Sequence, residues 1–250
     1  MDPRIAEILD RIDAAPSAAP RVVATDADGT LWTGDAGDTL FQLFAAEDGW
    51  SDAARTIVAS EARRWLGPGT GGTTSALATR LLEAYFAGAI SVDAICSIEA
   101  RASGGRSHES LEDWCRRAAE VVARSVRAPV RELLHELKRR GFAIHVVTAS
   151  LGLVVEWTLR AADLPFDRVT GANLFIDDTR VSCDLRGPVP IQDAKSAALR
   201  AAGDWPPTLG MGDGGWDAAF LQGSQVALLV HPREALVQAM GGHPNAATWR

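Results

Sequence analysis

The chain has 250 residues, 47% of them hydrophobic, and carries a net charge of −7. That length supports a sizeable core, in one large domain or in a domain with an insert. The negative balance and the scattered basic residues argue against nucleic acid or an anionic membrane surface as the main partner. Cys96, Cys115 and Cys183 are far apart and odd in number, with neither a disulfide framework nor zinc spacing, which points to a reducing cytoplasm. No apolar run is long enough to span a membrane. The N-terminal MDPRIAEILDRID has acids where a signal peptide has an apolar centre.

In chain order, Ile5, Ile8, Leu9 and Ile12 share one helical face and predict a docked amphipathic helix, followed by the linker APSAAP at 15–20. RVVAT, from Arg21 to Thr25, predicts a short buried strand. From about 37 to 125 the apolar spacing is helical throughout. Glycine-rich breaks fall at 67–72 and 103–106, and no strand is expected in the block. Residues 129–141 predict a helix, with Pro129 in its first turn, Lys138, Arg139 and Arg140 in its last and Gly141 as its stop. Phe142 to Val147 is a second strand, and LGLVVEWTLRAAD the helix after it. NLFIDDTRVSCDL, 173–185, reads as a hairpin turning at Asp177-Asp178. Then come a helix in QDAKSAALRAAG, a strand in PTLGMGD, a helix in GWDAAFLQ, a last buried strand in QVALLV and a short helix in REALVQAM. Strands alternating with helices imply an α/β fold, a Rossmann-like parallel sheet covered on both faces. A helical block interrupts it after the first strand. The expected division is an N-terminal helix and linker at 1–20, a core at 21–35 and 126–250, and a helical cap at 36–125.

In an open parallel sheet, ligands bind beyond the carboxyl ends of the strands. Asp26 and Asp28 lie beyond the first strand, Thr148 and Ser150 at the end of the second, and Asp213 and Asp217 beyond a later one. Lys195 opens the helix before that last strand. Four carboxylates, a lysine and hydroxyls could therefore converge on one edge. Close carboxylates repel and stay ionised together only beside a cation. Oxygen ligands without His or Cys favour a hard ion such as Mg²⁺. A lysine and helix N-terminal amides suit a phosphate. The chemistry favoured is phosphoryl transfer with an aspartate nucleophile.

DADGTL, a hydrophobic strand ending in Thr148, then Lys195, then GDGGWD, resemble in that order the four motifs of the haloacid dehalogenase superfamily. The helical insert after the first motif resembles its type 1 cap. The 173–185 hairpin, the VVTAS strand end and VALLVHPREAL resemble the phosphoserine phosphatase-like branch. Dehalogenases proper lack an acid at the place of Asp28, so the resemblance implies a phosphatase. It assigns Asp26 as the nucleophile that forms an aspartyl-phosphate. Asp28 becomes the proton carrier, with its carbonyl on Mg²⁺. Asp213 is the direct metal ligand, and Asp217 supports the metal through water or holds Lys195. Thr148 and the amides around Ala149 and Ser150 bind phosphate, and Lys195 pairs with both nucleophile and phosphate. Asp35 lies nine positions after Asp26, near where phosphoserine phosphatases carry a glutamate beside the substrate's amine. It equally suits the cap of a helix starting near Ala36.

An EF-hand reading of DADG fails, because its sixth and twelfth positions hold Leu31 and Gly37. Most tryptophans, including Trp50, Trp65 and Trp114, are expected in cap packing, whereas Trp32 and Trp216 neighbour the motifs and could either line a pocket or seal a domain interface. The five histidines show no ligand spacing. Arg55, Arg63 and Arg64 read as a solvated helix face, with one of them able to reach a substrate. The expected activity is Mg²⁺-dependent hydrolysis of a small-molecule phosphomonoester, with an amine-bearing substrate such as phosphoserine as one candidate. A phosphotransferase or mutase, or a non-catalytic binding module of this fold, is the alternative.

Overall fold

The computed structural model describes residues 2–15 and 20–250. Most of the expected linker, 16–19, lies outside them. Helix α1 (Pro3–Ala14) starts where the Asp2 carboxylate accepts a hydrogen bond from the Arg4 N–H at 2.9 Å. It buries Ile5, Ile8, Leu9 and Ile12, the face its spacing predicts. Strand β1 (Val22–Thr25) is buried along its whole length.

Five helices follow: α2 (Ala36–Glu47), α3 (Asp52–Leu66), α4 (Thr74–Phe86), α5 (Val92–Ala102) and α6 (His108–Val122). Each is preceded by an Asp, Ser or Thr whose side chain accepts a hydrogen bond from an N–H of the first turn. Each such cap contributes about 1 kcal/mol over alanine. Their shared interior holds Phe41, Phe44, Trp50 and Trp114, with ring centroids 5.0–5.5 Å apart, so Trp50 and Trp114 are packing residues as expected. One strand does occur in this block. β2 (Arg106–Ser107) is only two residues long, too short to disturb the helical spacing around it.

The chain returns through α7 (Ala128–Arg139), which buries Val130, Leu133, Leu134 and Leu137, and β3 (Ala143–Leu151). Next come α8 (Gly152–Ala161), β4 (Arg168–Ala172), β5 (Leu174–Asp177) and β6 (Arg180–Leu185). The β5–β6 turn is Asp178-Thr179, one residue later than expected, because Asp177 pairs with Arg180. Asp178 takes a positive φ of 48°, which aspartate tolerates better than most residues. Strand β6 also pairs with β2, so the hairpin ties the helical block to the segment between β4 and α9. The chain ends with α9 (Asp193–Ala202), β7 (Leu209–Gly212), α10 (Ala218–Gly223), β8 (Val226–Val230), α11 (Glu234–Ala239) and β9 (Ala246–Trp249).

The main sheet has the order β4-β3-β1-β7-β8-β9, and every neighbouring pair is parallel. Two of its edge strands were not anticipated. β4 contains a glycine and is partly exposed, and β9 comes after the strand in QVALLV that was expected to be last. Edge strands face solvent on one side and need no continuous apolar run, so their signal is weak. The central strands β3, β1 and β7 bring the segments after Thr25, around Thr148 and after Gly212 to the same edge. None of the described helices is long and apolar enough to cross a membrane.

Candidate active site

At the carboxyl edge, Lys195 projects from the first turn of α9 between two acids. Its Nζ lies 2.5 Å from Asp26 Oδ1 and 2.6 Å from Asp217 Oδ1, and all three side chains are buried. Asp26 is positioned by its own N–H, which donates to the Met211 carbonyl of β7 at 2.9 Å. The Thr30 hydroxyl donates to Asp26 Oδ2 at 3.1 Å. Asp217 Oδ2 accepts the backbone N–H groups of Asp213 and Gly214 at 3.2 and 3.0 Å. Both Asp217 oxygens are thus engaged, and of the two roles offered for it the geometry matches the one that holds Lys195.

Asp213 follows β7 directly. Its Oδ2 receives Arg233 Nε at 3.2 Å. Gly29, with φ of +80°, passes so close that a β-carbon there would sit 2.4 Å from Asp213 Oδ2. Only glycine meets both demands, the left-handed backbone and the close approach.

Ligand oxygens of Asp26, Asp213 and Asp217 lie within 4.8 Å of one another. Three buried acids face one buried lysine and the largely exposed Arg233. Burial, and then the neighbouring Asp217 charge, push Asp26 well above the ordinary carboxylate range and Asp213 up to about 6. Burial disfavours the charge on Lys195, but Asp217 and Asp26 outweigh it and hold the ammonium above its usual value. The cluster is short of positive charge, and its donors are all oxygen. A hard divalent cation such as Mg²⁺ fits that donor set.

Asp28 is turned toward the start of the helical block. Its Oδ1 accepts from Trp32 Nε1 at 2.8 Å and from the Ala36 N–H at 2.7 Å, while Oδ2 accepts from the Ser150 hydroxyl at 2.7 Å. Burial raises its pKa, and these hydrogen bonds from Ser150, Ala36 and Trp32 oppose the rise. Trp32 is fully buried in this role and does not line the cavity. Thr148 is buried, and its hydroxyl accepts the Ser150 N–H at 3.1 Å.

A cavity of about 330 Å³ opens over these groups, between the sheet edge and helices α2, α4 and α5. Asp26, Asp28, Asp35, Thr148, Ala149, Ser150, Lys195, Asp213 and Asp217 all line it, so the edge gathers the residues that the four motifs and Asp35 contributed. Asp35 both lines the cavity and caps α2, its Oδ1 accepting the Asp38 N–H at 2.8 Å. The two readings of that residue are therefore compatible. Trp216, 40% exposed, is on the wall. Arg55 pairs with Asp48 and Arg64 with Glu61, and neither lines the cavity. Sequence reasoning missed Arg233, Asp38, Tyr85 and Phe86, which also line it. VALLVHPREAL was noted as a resembling segment, and the place of Arg233 just after β8 was the available signal for that residue.

A family model described as haloacid dehalogenase-like hydrolase matches residues 23–222. Among solved structures, a protein of unknown function from Bordetella pertussis Tohama I is 18% identical with a TM-score of 0.69, covering 90% of this chain and 97% of its own. A probable phosphoserine phosphatase from Vibrio cholerae is 12% identical with a TM-score of 0.57, covering 92% of this chain and 62% of its own. A substrate-bound phosphoserine phosphatase is 15% identical with a TM-score of 0.53, covering 89% and 91%. At such identities the likeness is one of fold. Comparison with curated protein sequences finds no match.

Proposed function

Because the chain belongs to the haloacid dehalogenase-like hydrolases, we propose that it hydrolyses a small phosphate monoester by way of a phosphoryl group carried on Asp26. The observation that carries this reading is Lys195 clamped between Asp26 and Asp217, with Asp213 beside them. A buried carboxylate fixed by a lysine at a sheet edge is a positioned nucleophile, and the cavity above it is of small-molecule size.

In the first step a carboxylate oxygen of Asp26 attacks phosphorus and the ester P–O bond breaks. Asp28 gives its proton to the departing alkoxide. In the second step water attacks the phosphorus of the acyl phosphate, Asp28 takes the proton of that water, and the bond to Asp26 breaks. The net reaction consumes one water and releases the alcohol and phosphate. Backbone N–H groups near Ala149 and Ser150, the Thr148 hydroxyl and Lys195 offer donors to the phosphoryl oxygens. Asp26, Asp213 and the Asp28 carbonyl would hold Mg²⁺, which supplies charge neutralisation for the phosphoryl group. Asp217 keeps Lys195 in place.

The test is phosphate release from an aryl phosphate with Mg²⁺ and with a chelator. The reading predicts metal-dependent release, abolished by Asp26→Asn in a folded protein. Release by Asp26→Asn at the wild-type rate would overturn it. A phosphotransferase would instead move the group to an added acceptor, and a binding module would release none.

A further inference from the structure

Away from the acids and Lys195, the same cavity has a wall of a different kind. Tyr85 and Phe86 at the end of α4, Val92 and Ile95 of α5, Ile191 just before α9 and Trp216 after β7 line it. Among the described residues, three aromatic side chains are largely exposed: Phe86 at 67%, Phe175 at 51% and Trp216 at 40%. Two of those three stand on this cavity. A large ring left in water forgoes the burial that such side chains ordinarily find. Exposed apolar surface gathered at a cleft marks a face that a ligand covers.

The rings are held in place. A β-carbon on Gly214 would lie 3.0 Å from Trp216 Cδ1, so the indole packs against bare backbone beside Asp213. The Trp216 carbonyl accepts the Gln192 N–H at 3.1 Å, which ties this turn to the segment carrying Ile191. On the side of the helical block, Tyr85 and Phe86 form a tilted pair with ring centroids 5.2 Å apart. The charged groups of the cavity, by contrast, are answered within the protein. Lys195 and Arg233 Nε serve Asp26, Asp217 and Asp213 at the phosphoryl end. Asp28 is held by Trp32, Ala36 and Ser150. Asp35 accepts the Asp38 N–H, and Asp38 shares a hydrogen bond with Glu99. What the wall leaves uncovered is apolar.

We propose that the leaving group is aromatic and uncharged, so that the substrate is the phosphate monoester of an aryl-bearing alcohol whose ring is received by Trp216 of the core and by Tyr85 and Phe86 of the helical block. This deepens the hydrolase reading and rests on it. Edge-to-face and offset contacts between rings give an aromatic ligand more than its apolar area alone would. Trp216 lies in the chain between Asp213 and Asp217, so a ring resting on it stays close to the phosphoryl end. A cavity of about 330 Å³ holds a phosphoryl group and a small ring system together.

The test is a set of esters on the wild-type protein with Mg²⁺: ethyl, 2-cyclohexylethyl and 2-phenylethyl phosphate, whose alcohols are of similar acidity, with 2-aminoethyl phosphate as the charged comparison. The expected kcat/KM for the 2-phenylethyl ester exceeds that for the ethyl ester by about 10- to 100-fold, the worth of covering one large apolar side chain. It exceeds that for the cyclohexyl ester by about 2- to 10-fold, the part that belongs to the ring face. Trp216→Leu and Phe86→Leu keep apolar area and remove a ring, so each should bring the phenyl-to-cyclohexyl ratio toward one. Equal rates for the phenyl and cyclohexyl esters, a ratio unchanged in the two variants, or a higher kcat/KM for the 2-aminoethyl ester would overturn the proposal, while Mg²⁺-dependent release from any of the esters still upheld the hydrolase reading. Calorimetric binding of 2-phenylethylphosphonate against 2-cyclohexylethylphosphonate reads the same wall without turnover. Tighter binding of the phenyl compound, lost in Trp216→Leu, supports the aromatic site even if no ester is cleaved. Equal binding of the two overturns it.

Discussion

Asp28 Oδ1 accepts a hydrogen bond from the backbone N–H of Ala36 at 2.7 Å, which joins the proposed proton carrier to the first residue of the first helix of the inserted block. The Ser150 hydroxyl holds the other oxygen from the β3 end. The residue that must exchange a proton with the leaving group is thus positioned by both the insert and the sheet edge. A movement of α2 would be felt at Asp28 directly.

Asp28→Asn keeps those acceptor contacts in part but cannot carry the proton. The variant should lose about 10²- to 10⁴-fold in kcat for alkyl phosphates, the usual worth of general acid–base catalysis. The loss should be smaller for aryl phosphates, whose leaving groups need less protonation. A series of esters of graded leaving-group acidity checks this. A loss of the same size across the series would remove Asp28 from the proton-transfer role.

Lys195 has two buried partners, so its removal leaves two carboxylates without a counter-charge. Lys195→Met should lower stability by about 3–5 kcal/mol at neutral pH, as breaking a buried ion pair does. Added Mg²⁺ should restore part of it, since an ion that binds only the folded state stabilises by mass action. Denaturant titrations with and without Mg²⁺ measure both. Unchanged stability in Lys195→Met would contradict the pairing.

Gly29→Ala strains a backbone at φ of +80° and pushes on Asp213 Oδ2. The Mg²⁺ concentration for half-maximal activity should rise about 10- to 100-fold, the range seen when a metal ligand loses its supporting neighbour. Activity titrated against Mg²⁺ reads this. An unchanged metal requirement would separate Asp213 from metal binding.

His145 is buried in β3, with Nδ1 2.8 Å from Asp204 Oδ2 and Nε2 2.8 Å from Thr170 Oγ1. Burial lowers its pKa, and the Asp204 hydrogen bond opposes the fall. A histidine with a lowered folded pKa binds its proton more readily when unfolded. Its contribution is therefore present above the unfolded value of about 6.5 and declines as pH falls from there toward the folded value. Between pH 7.5 and 5.5 the wild type should lose more stability than His145→Asn. Parallel pH dependence in the two proteins would show that His145 does not contribute.

Much of the site was legible because its groups sit at strand ends. Asp26 after β1, Thr148 within β3, Lys195 in the first turn of α9 and Asp213 after β7 are fixed by local pattern and by the rule that parallel strands converge at their carboxyl edge. The second half of the cavity was not legible in this way. Asp38 is an acid within an ordinary helix, and only the packing of α2 over the sheet edge brings it to the cavity. Trp32, beside DADGT, suited a pocket wall and a sealed interface equally. Its indole N–H instead serves Asp28, a partner choice that spacing alone does not encode. The missed β2, β4 and β9 are short or lie at the margin of their sheets, where burial imposes little pattern.

The central claim is that Asp26 carries the phosphoryl group. Acid quench of the enzyme during turnover with Mg²⁺, followed by borohydride reduction, converts an acyl phosphate on aspartate to homoserine, and peptide mass mapping locates it. The account predicts homoserine at position 26, dependent on substrate and absent in Asp26→Asn. Continued turnover with Asp26 unmodified, or homoserine at Asp28 or Asp213 instead, would contradict it.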